Sequence, residues 1–87
     1  FYILEYRNVD KDCKHSEKEY LISLGNRIKE IRLQKNISQT EIAYRCGFDK
    51  SNYNTIESGK RNPTIISLLK IANALDVSLT DLFPVKT

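Results

Sequence analysis

The sequence predicts an all-α domain built from five short helices. Three observations support this: apolar residues recur at helical spacing, capping residues recur between those segments, and nothing between residues 21 and 83 alternates as a strand does. With 87 residues, the chain has the length of one small domain. We therefore expect a helical domain over residues 21–87, preceded by an N-terminal arm over residues 1–20.

The first two helices have clear boundaries. The first is predicted over Leu21–Lys35, where Leu24, Ile28 and Ile31 share the helical period, and Asn36 ends it. A capping box then runs from Ser38 to Glu41, whose side chain is expected to reach back to the cap. Gly47 supplies the turn that stops this second helix, and the residues expected to be buried on it are Ile42, Ala43 and Cys46.

The remaining three helices follow the same logic. Asp49 can cap a third helix over Lys50–Ser58, and Thr64 can cap a fourth that ends at Leu75. A second capping box, Ser78–Asp81, starts a last short helix that Pro84 closes. The fourth helix is expected to direct five apolar residues inward: Leu68, Leu69, Ile71, Ala72 and Leu75.

The arm, residues 1–20, differs from the rest of the chain. Phe1–Tyr6 is rich in aromatic and β-branched residues, which favours an extended conformation, whereas Arg7–Glu19 is polar and mixed in charge. Two interpretations stay open: a flexible arm, or a strand or helix that packs on a partner subunit. Because the chain begins with Phe1 and contains no Met, we expect its native N-terminus to lie further upstream.

The segment Gln39–Ile56 has the spacing of a helix-turn-helix. Two helices that cross steeply through a short turn need a small residue where they touch, here Ala43, and a residue that leaves the helix, here Gly47. They also need apolar residues that point into one core: Ile42, Cys46, Phe48, Tyr53 and Ile56. The alternative is an ordinary helical hairpin, since two short amphipathic helices look similar.

One face of the predicted third helix carries small polar side chains. Tyr53 and Ile56 share the inward face, and the opposite side carries the candidate base-reading residues Lys50, Ser51, Asn54 and Thr55. Such side chains can donate to or accept from base edges in the major groove, where Lys suits guanine and Asn suits adenine. A solvated helix surface is the alternative interpretation.

The positive charge lies in the middle of the chain. Residues 26–62 carry eight basic and four acidic side chains, whereas residues 1–20 carry four basic and five acidic ones. Lys60, Arg61 and Asn62 directly follow the third helix, and Ser38 and Gln39 stand at a helix N-terminus, where free N–H groups favour an anion. These residues are candidate phosphate contacts, although a solvated loop would carry Lys60 and Arg61 equally well.

Residues Leu24–Phe83 resemble the lambda-repressor/Cro-like (Xre-type) helix-turn-helix family. The pieces that carry the resemblance are Ser38-Gln39, Ala43, Gly47, Ile56–Lys60, Asn62-Pro63 and Ile71-Ala72. The resemblance implies five helices and sequence-specific binding of double-stranded DNA, usually by a homodimer and usually for repression. The arm lies outside the match.

The resemblance also implies roles for single residues. It places Ser58 beside the DNA backbone together with the phosphate candidates named above, and it implies an ion bridge between Arg32 and Glu57. One departure from the family is Tyr53, where the family usually carries Val or Ile. We expect the ring of Tyr53 to fit the edge of the core, with its hydroxyl in reach of water.

Composition argues against catalysis, metal binding and membrane insertion. The only His, His15, lies in the polar arm, so no Ser-His-Asp or Cys-His arrangement has a base. Cys13 and His15 offer two ligands where a structural zinc site needs four, and Cys46 is expected to be a buried apolar residue. We expect no cofactor, no metal and no membrane span, and a reducing cytoplasmic location.

These expectations combine into one functional hypothesis and one alternative. The hypothesis is a transcriptional repressor that binds a two-fold symmetric operator through the helix Lys50–Ser58. The alternative is the antitoxin of a toxin–antitoxin pair, a protein-interaction module that also binds DNA. Dimerisation is expected through residues 1–20 or through residues 79–87, where apolar side chains cluster: Leu79, Leu82, Phe83 and Val85.

Overall fold

The computed structural model describes the backbone of residues 2–84 and the side chains of residues 17–84. The helices are α1 (Tyr2–Gln34), α2 (Gln39–Cys46), α3 (Lys50–Glu57) and α4 (Ile65–Leu75), followed by a 3₁₀ turn, η1 (Leu79–Leu82). Residues 2–84 contain no strand, so the all-α class is confirmed, and the fifth predicted helix is a single 3₁₀ turn.

Helix α1 is longer at its N-terminal end than the sequence analysis expected. It begins at Tyr2 rather than Leu21, so the segment for which an extended conformation was expected is helical from Tyr2 onward. No Pro or Gly precedes Gly25, so nothing interrupts a helix that continues N-terminally from its buried part. The division at residue 20 stays a prediction, as do the arm's contacts, because the side chains of residues 1–16 lie outside the described residues.

The core is a single cluster to which every helix contributes. The residues predicted inward from α2 and α3 are buried, but Leu69 is 41% exposed, so its predicted inward orientation was wrong. Position 69 lies beside the stripe that α4 buries rather than on it. The buried apolar residues are Leu24, Ile28, Ile31, Ile42, Ala43, Cys46, Tyr53, Ile56, Leu68, Ile71, Ala72, Leu75 and Leu82.

Three of the predicted helix caps form hydrogen bonds, and at the second capping box the Ser78 N–H donates to Asp81 Oδ2 at 3.2 Å. The Oγ of Ser38 accepts from the Glu41 N–H at 3.0 Å, and the Oγ1 of Thr64 accepts from the Ser67 N–H at 3.1 Å. The return half of the first capping box is absent, because the Glu41 carboxylate accepts from Arg45 Nε instead. Asp49 takes the N-cap position of α3 without a capping hydrogen bond from its side chain.

Two glycines let α1 lie directly against the end of α3. A Cβ atom at Gly25 would stand 2.2 Å from the carbonyl oxygen of Glu57, well inside any van der Waals contact. Gly59, in the left-handed region with φ of 78°, would place a Cβ 2.7 Å from Ile22 Cα. The close approach of the two backbones therefore depends on the missing side chains.

The C-terminal apolar cluster closes the core. Leu82 is fully buried, and Leu79 and Phe83 are half-buried against the same cluster, while Val85 lies outside the described residues. The exposed apolar residues of this part of the domain are on α4 instead: Ile65, Ile66 and Leu69. Within the described part of the chain, no helix has the length and apolar character needed to cross a membrane.

We expect Gly25→Ala to lower the free energy of unfolding by about 1–3 kcal/mol, because the added methyl group must push α1 and α3 apart. Urea unfolding followed by circular dichroism measures this. Asn26→Ala, at the exposed neighbouring position, is the matched control and should change stability by less than about 0.5 kcal/mol. A Gly25→Ala variant as stable as the parent would contradict the close helix contact.

Candidate nucleic-acid interface

Helices α2 and α3 form a helix-turn-helix around the predicted turn. Gly47 ends α2 in the left-handed conformation with φ of 75°, and the Phe48 N–H donates back to the Ala43 carbonyl at 2.9 Å. Ala43 is 2% exposed, as a small residue at a helix crossing should be. The turn therefore separates α2 from α3, and Phe48, in the connection, is half-buried against the core.

Helix α3 is divided into a buried face and an exposed face. Tyr53, Ile56 and Glu57 are buried. Of the four candidate base-reading residues, Lys50, Ser51 and Asn54 are exposed, whereas Thr55 is half-buried. The Thr55 hydroxyl donates to the Asn52 carbonyl at 2.6 Å, so its donor is used within the helix.

Asn52 is an exposed amide that the sequence analysis passed over. It lines a cleft of about 380 Å³ between α3 and the loop that leads to α4, together with Arg61, Asn62 and Thr64. Two features of the sequence could have identified Asn52 as a candidate: its position in the first turn of α3 and its amide side chain. Asn52 therefore adds a polar group beside the predicted base-reading set.

A buried ion pair joins α1 to α3. Arg32 Nε donates to Glu57 Oε2 at 2.6 Å and Arg32 Nη2 donates to Oε1 at 3.2 Å, and both side chains are at least nine-tenths buried. Arg32 Nη1 also donates to the Ile37 carbonyl at 2.7 Å, in the connection before α2. The Arg32 guanidinium thus links α1, the connection before α2 and the C-terminal end of α3.

Tyr53 completes this ion pair rather than reaching water. Its side chain is fully buried, and its hydroxyl donates to Glu57 Oε2, so the expectation of a hydroxyl at the solvent edge was wrong. Burial, reinforced by the Glu57 carboxylate, raises the pKa of Tyr53 far above its usual value. Burial by itself would raise the pKa of Glu57 too, but hydrogen bonds from Arg32, Tyr53 and Gln39 outweigh it and lower that pKa.

Gln39 extends the network from the buried pair to the exposed face of α3. Its Nε2 donates to Glu57 Oε1 at 2.9 Å and to Asn54 Oδ1 at 3.2 Å. The first residue of α2 therefore touches a candidate base-reading side chain directly. The N-terminus of α2, with its free N–H groups, lies beside the exposed face of α3.

The candidate phosphate-binding residues flank that exposed face. Ser38 and Gln39 lie on the side of Asn54, and Arg61 and Asn62 share a cleft with Asn52 on the other. The members beyond the end of α3 are all exposed: Ser58, Lys60, Arg61 and Asn62.

Three cations near α3, Lys50, Lys60 and Arg61, form no ion pair with another described side chain. The ion pairs among the described side chains are Arg27–Glu30, Arg32–Glu57 and Arg45–Glu41, and they include neither Lys50, Lys60 nor Arg61. Positive charge around α3 is therefore available to a polyanion.

The described side chains do not form a metal site. No group of three His, Cys, Asp or Glu residues among them could hold an ion. Cys46 is buried in the core, and burial raises the pKa of its thiol. His15 and Cys13 lie outside the described side chains.

The chain is similar to a known protein family and to several individual proteins. The helix-turn-helix family model matches residues 28–82 of the chain. Control protein C.MunI of a Mycoplasma species is 38% identical over 63 residues, which make up 71% of this chain and 85% of that protein.

Two solved structures share the fold and a substantial part of the sequence. The restriction-modification controller protein C.AhdI from Aeromonas hydrophila superposes with a TM-score of 0.71 and 38% identity, over 72% of this chain and 96% of that one. The controller protein C.Esp1396I, solved as a tetramer in complex with its natural 35 base-pair operator, has a TM-score of 0.67 and 36% identity, over 72% of this chain and 83% of that one.

We expect the buried ion pair to make the free energy of unfolding depend on pH in the acidic range. Because the pKa of Glu57 is lower in the folded chain than in the unfolded one, its stabilising effect is present above the unfolded value, about 4.3. This stabilisation is lost as pH falls through the folded value. Urea unfolding at pH 7, 5, 4 and 3 should therefore show a free energy of unfolding that decreases as the pH is lowered.

Glu57→Gln should lower the free energy of unfolding at pH 7 by about 3 kcal/mol, since Arg32 would keep an unpaired buried charge. The variant should also lose Glu57's share of the acid dependence. Glu41→Gln, which removes an exposed carboxylate on α2, is the control and should change little. Equal acid dependence in Glu57→Gln and the parent would contradict this assignment.

Proposed function

We propose, since the chain belongs to the lambda-repressor-like helix-turn-helix family, that it is a sequence-specific DNA-binding transcriptional regulator that represses by occupying an operator. The observation that carries the proposal is the division of α3. Its inner face is held by a buried ion pair and its outer face offers exposed polar side chains, while Lys50, Lys60 and Arg61 form no ion pair with another described side chain. In this proposal the protein acts by binding DNA, without catalysis, in the cytoplasm.

In this proposal α3 enters the major groove by its N-terminal end. Recognition helices of this motif contact base edges through their first residues, so Lys50 and Ser51 lie deepest. Asn54 and Thr55 follow one turn later on the same side. Lys50 donates to guanine O6 and N7, the commonest specific contact in such interfaces.

Six residues position the domain on the sugar–phosphate backbone. Ser38 and Gln39 offer the N-terminus of α2, whose N–H groups and dipole favour an anion. The others follow the recognition helix directly: Ser58, Lys60, Arg61 and Asn62. These contacts supply affinity and register but carry no base information.

Two copies of the chain read a two-fold symmetric operator. One α3 reads only a few base pairs, whereas two helices spaced by one turn of DNA, about 34 Å, read two half-sites. The relative C.Esp1396I is a tetramer on its operator. We place the contact between copies on three of the exposed apolar side chains, Ile65, Ile66 and Leu69 on α4, rather than on residues 79–87, whose described apolar side chains pack on the core. The helical arm offers a second surface of contact.

Selection of bound sequences from a random DNA pool is the experiment that tests the function. We expect a short consensus that occurs twice in inverted orientation. A pool that shows no enrichment would overturn the proposal.

Lys50→Ala should change the preferred sequence, with a loss of about 1–3 kcal/mol on the parental site for the missing base contact. Folding should be unaffected because Lys50 is exposed. Lys29→Ala, which removes an exposed cation from α1, controls for the lost charge. If Lys50→Ala selects the parental consensus with parental affinity, the base-reading assignment is wrong.

Lys60→Ala and Arg61→Ala should each weaken binding to all sequences similarly, because phosphates are common to all DNA. Each should also lower the slope of log affinity against log salt concentration by about one. Fluorescence anisotropy between 50 and 300 mM salt, roughly the range over which counterion release dominates, measures the slope. Slopes equal to that of the parent would contradict the phosphate contacts.

Ile66→Asp should shift the chain from dimer to monomer in sedimentation experiments at micromolar concentration, since a charge would be buried at the contact. Tyr44→Asp alters an even more exposed side chain, on α2, and should leave the dimer intact. A chain without residues 1–20 tests the arm. If only the truncated chain is monomeric, the contact lies in the arm and not on α4.

A further inference from the structure

Asp49 is the one exposed acidic residue in the segment 48–62, which contains α3 and the candidate phosphate contacts that follow it. The other acidic residue of that segment, Glu57, is buried in the ion pair with Arg32. The remaining charges of the segment are all positive: Lys50, Lys60 and Arg61. An exposed carboxylate at the N-terminal end of α3 is therefore opposite in charge to a surface that otherwise suits a polyanion.

The Asp49 carboxylate does not cap α3. Asp49 takes the N-cap position with φ of −67° and ψ of 144°, yet its side chain makes no capping hydrogen bond. Ser38 and Thr64 cap α2 and α4 from similar backbone angles, and both do accept such a bond. The ion pairs among the described side chains also leave Asp49 out. Its oxygens therefore keep acceptor capacity for a group outside the chain.

A carboxylate that enters the major groove needs a donor. Ionised Asp can only accept hydrogen bonds, and phosphates repel it. The base donors in that groove are the N4 amino group of cytosine and the N6 amino group of adenine. Adenine N6 lies between two acceptors, its own N7 and the O4 of the paired thymine, whereas cytosine N4 has an acceptor on one side only, the O6 of the paired guanine. Cytosine is therefore the base that suits the carboxylate best.

We propose that Asp49 is a specificity-determining residue that accepts a hydrogen bond from the N4 amino group of cytosine. The inference rests on the proposed function, in which α3 enters the groove by its N-terminal end and the next residue, Lys50, donates to guanine. The two residues present an acceptor beside a donor. A G·C base pair displays the complementary set, with acceptors on guanine and a donor on cytosine.

The experiment uses the full chain and compares the parent with Asp49→Ser. Ser is a favourable N-cap residue, so α3 should keep its stability while the carboxylate is lost, and urea unfolding checks this. Both proteins select sequences from the same random DNA pool. We expect the parental consensus to contain a cytosine at which Asp49→Ser loses its preference, while the rest of the consensus is unchanged.

The N4 amino group is then tested directly on the selected duplex. Replacing that cytosine with 2-pyrimidinone, which lacks the amino group, should weaken binding of the parent about tenfold and of Asp49→Ser less than about twofold. Any weakening of the duplex itself is common to both proteins. Glu41→Gln, which removes an exposed carboxylate from α2, is the matched control and should respond to 2-pyrimidinone as the parent does.

The other outcomes count against the inference. If Asp49→Ser selects the parental consensus, or binds every duplex more tightly by the same factor, Asp49 caps α3 or repels phosphates without reading a base, and the inference is overturned. A preferred base other than cytosine at the Asp49 position would also overturn it. A parent that selects no sequence would instead overturn the proposed function itself, so the two failures are distinguishable.

Discussion

The placement of α3 depends on the buried ion pair between Arg32 and Glu57. Removing two charges from water is costly, and the structure offsets that cost by giving the Glu57 carboxylate four hydrogen bonds. Two come from Arg32, one from Tyr53 and one from Gln39. Because Arg32 lies on α1 and also holds the Ile37 carbonyl, the pair fixes α3 relative to α1 and to the connection before α2.

This interaction matters because α3 has only eight residues. A helix that short is not stable alone in water, so its position and direction come from packing. Tyr53 and Ile56 supply apolar burial, and the hydrogen bonds of Glu57 to Arg32 fix the C-terminal end of α3. The outer face is then free to carry Lys50, Ser51 and Asn54, which add nothing to the core. Under the proposed function, stability and DNA recognition are divided between opposite sides of one helix.

The sequence by itself determined the helical class and most of the helix boundaries. Apolar periodicity and capping residues are local signals, and the Ser38 and Thr64 caps form as local chemistry requires. The inward face of α3 was likewise predictable from a 100° rotation per residue. The resemblance to a known family supplied the Arg32–Glu57 pairing, which spacing would not have revealed.

Only the tertiary structure decided which groups meet across helices. Tyr53 and Glu57 lie four residues apart on α3, so their hydrogen bond is a local contact, but nothing local to Gln39 shows that its amide spans from Glu57 to Asn54. The need for glycine at position 25 likewise appears only when the carbonyl of Glu57 lies beside it. Capping and periodicity act within a few residues along the chain, whereas these contacts join atoms from different helices. Their distances are set by how the helices pack, which no single segment of sequence encodes.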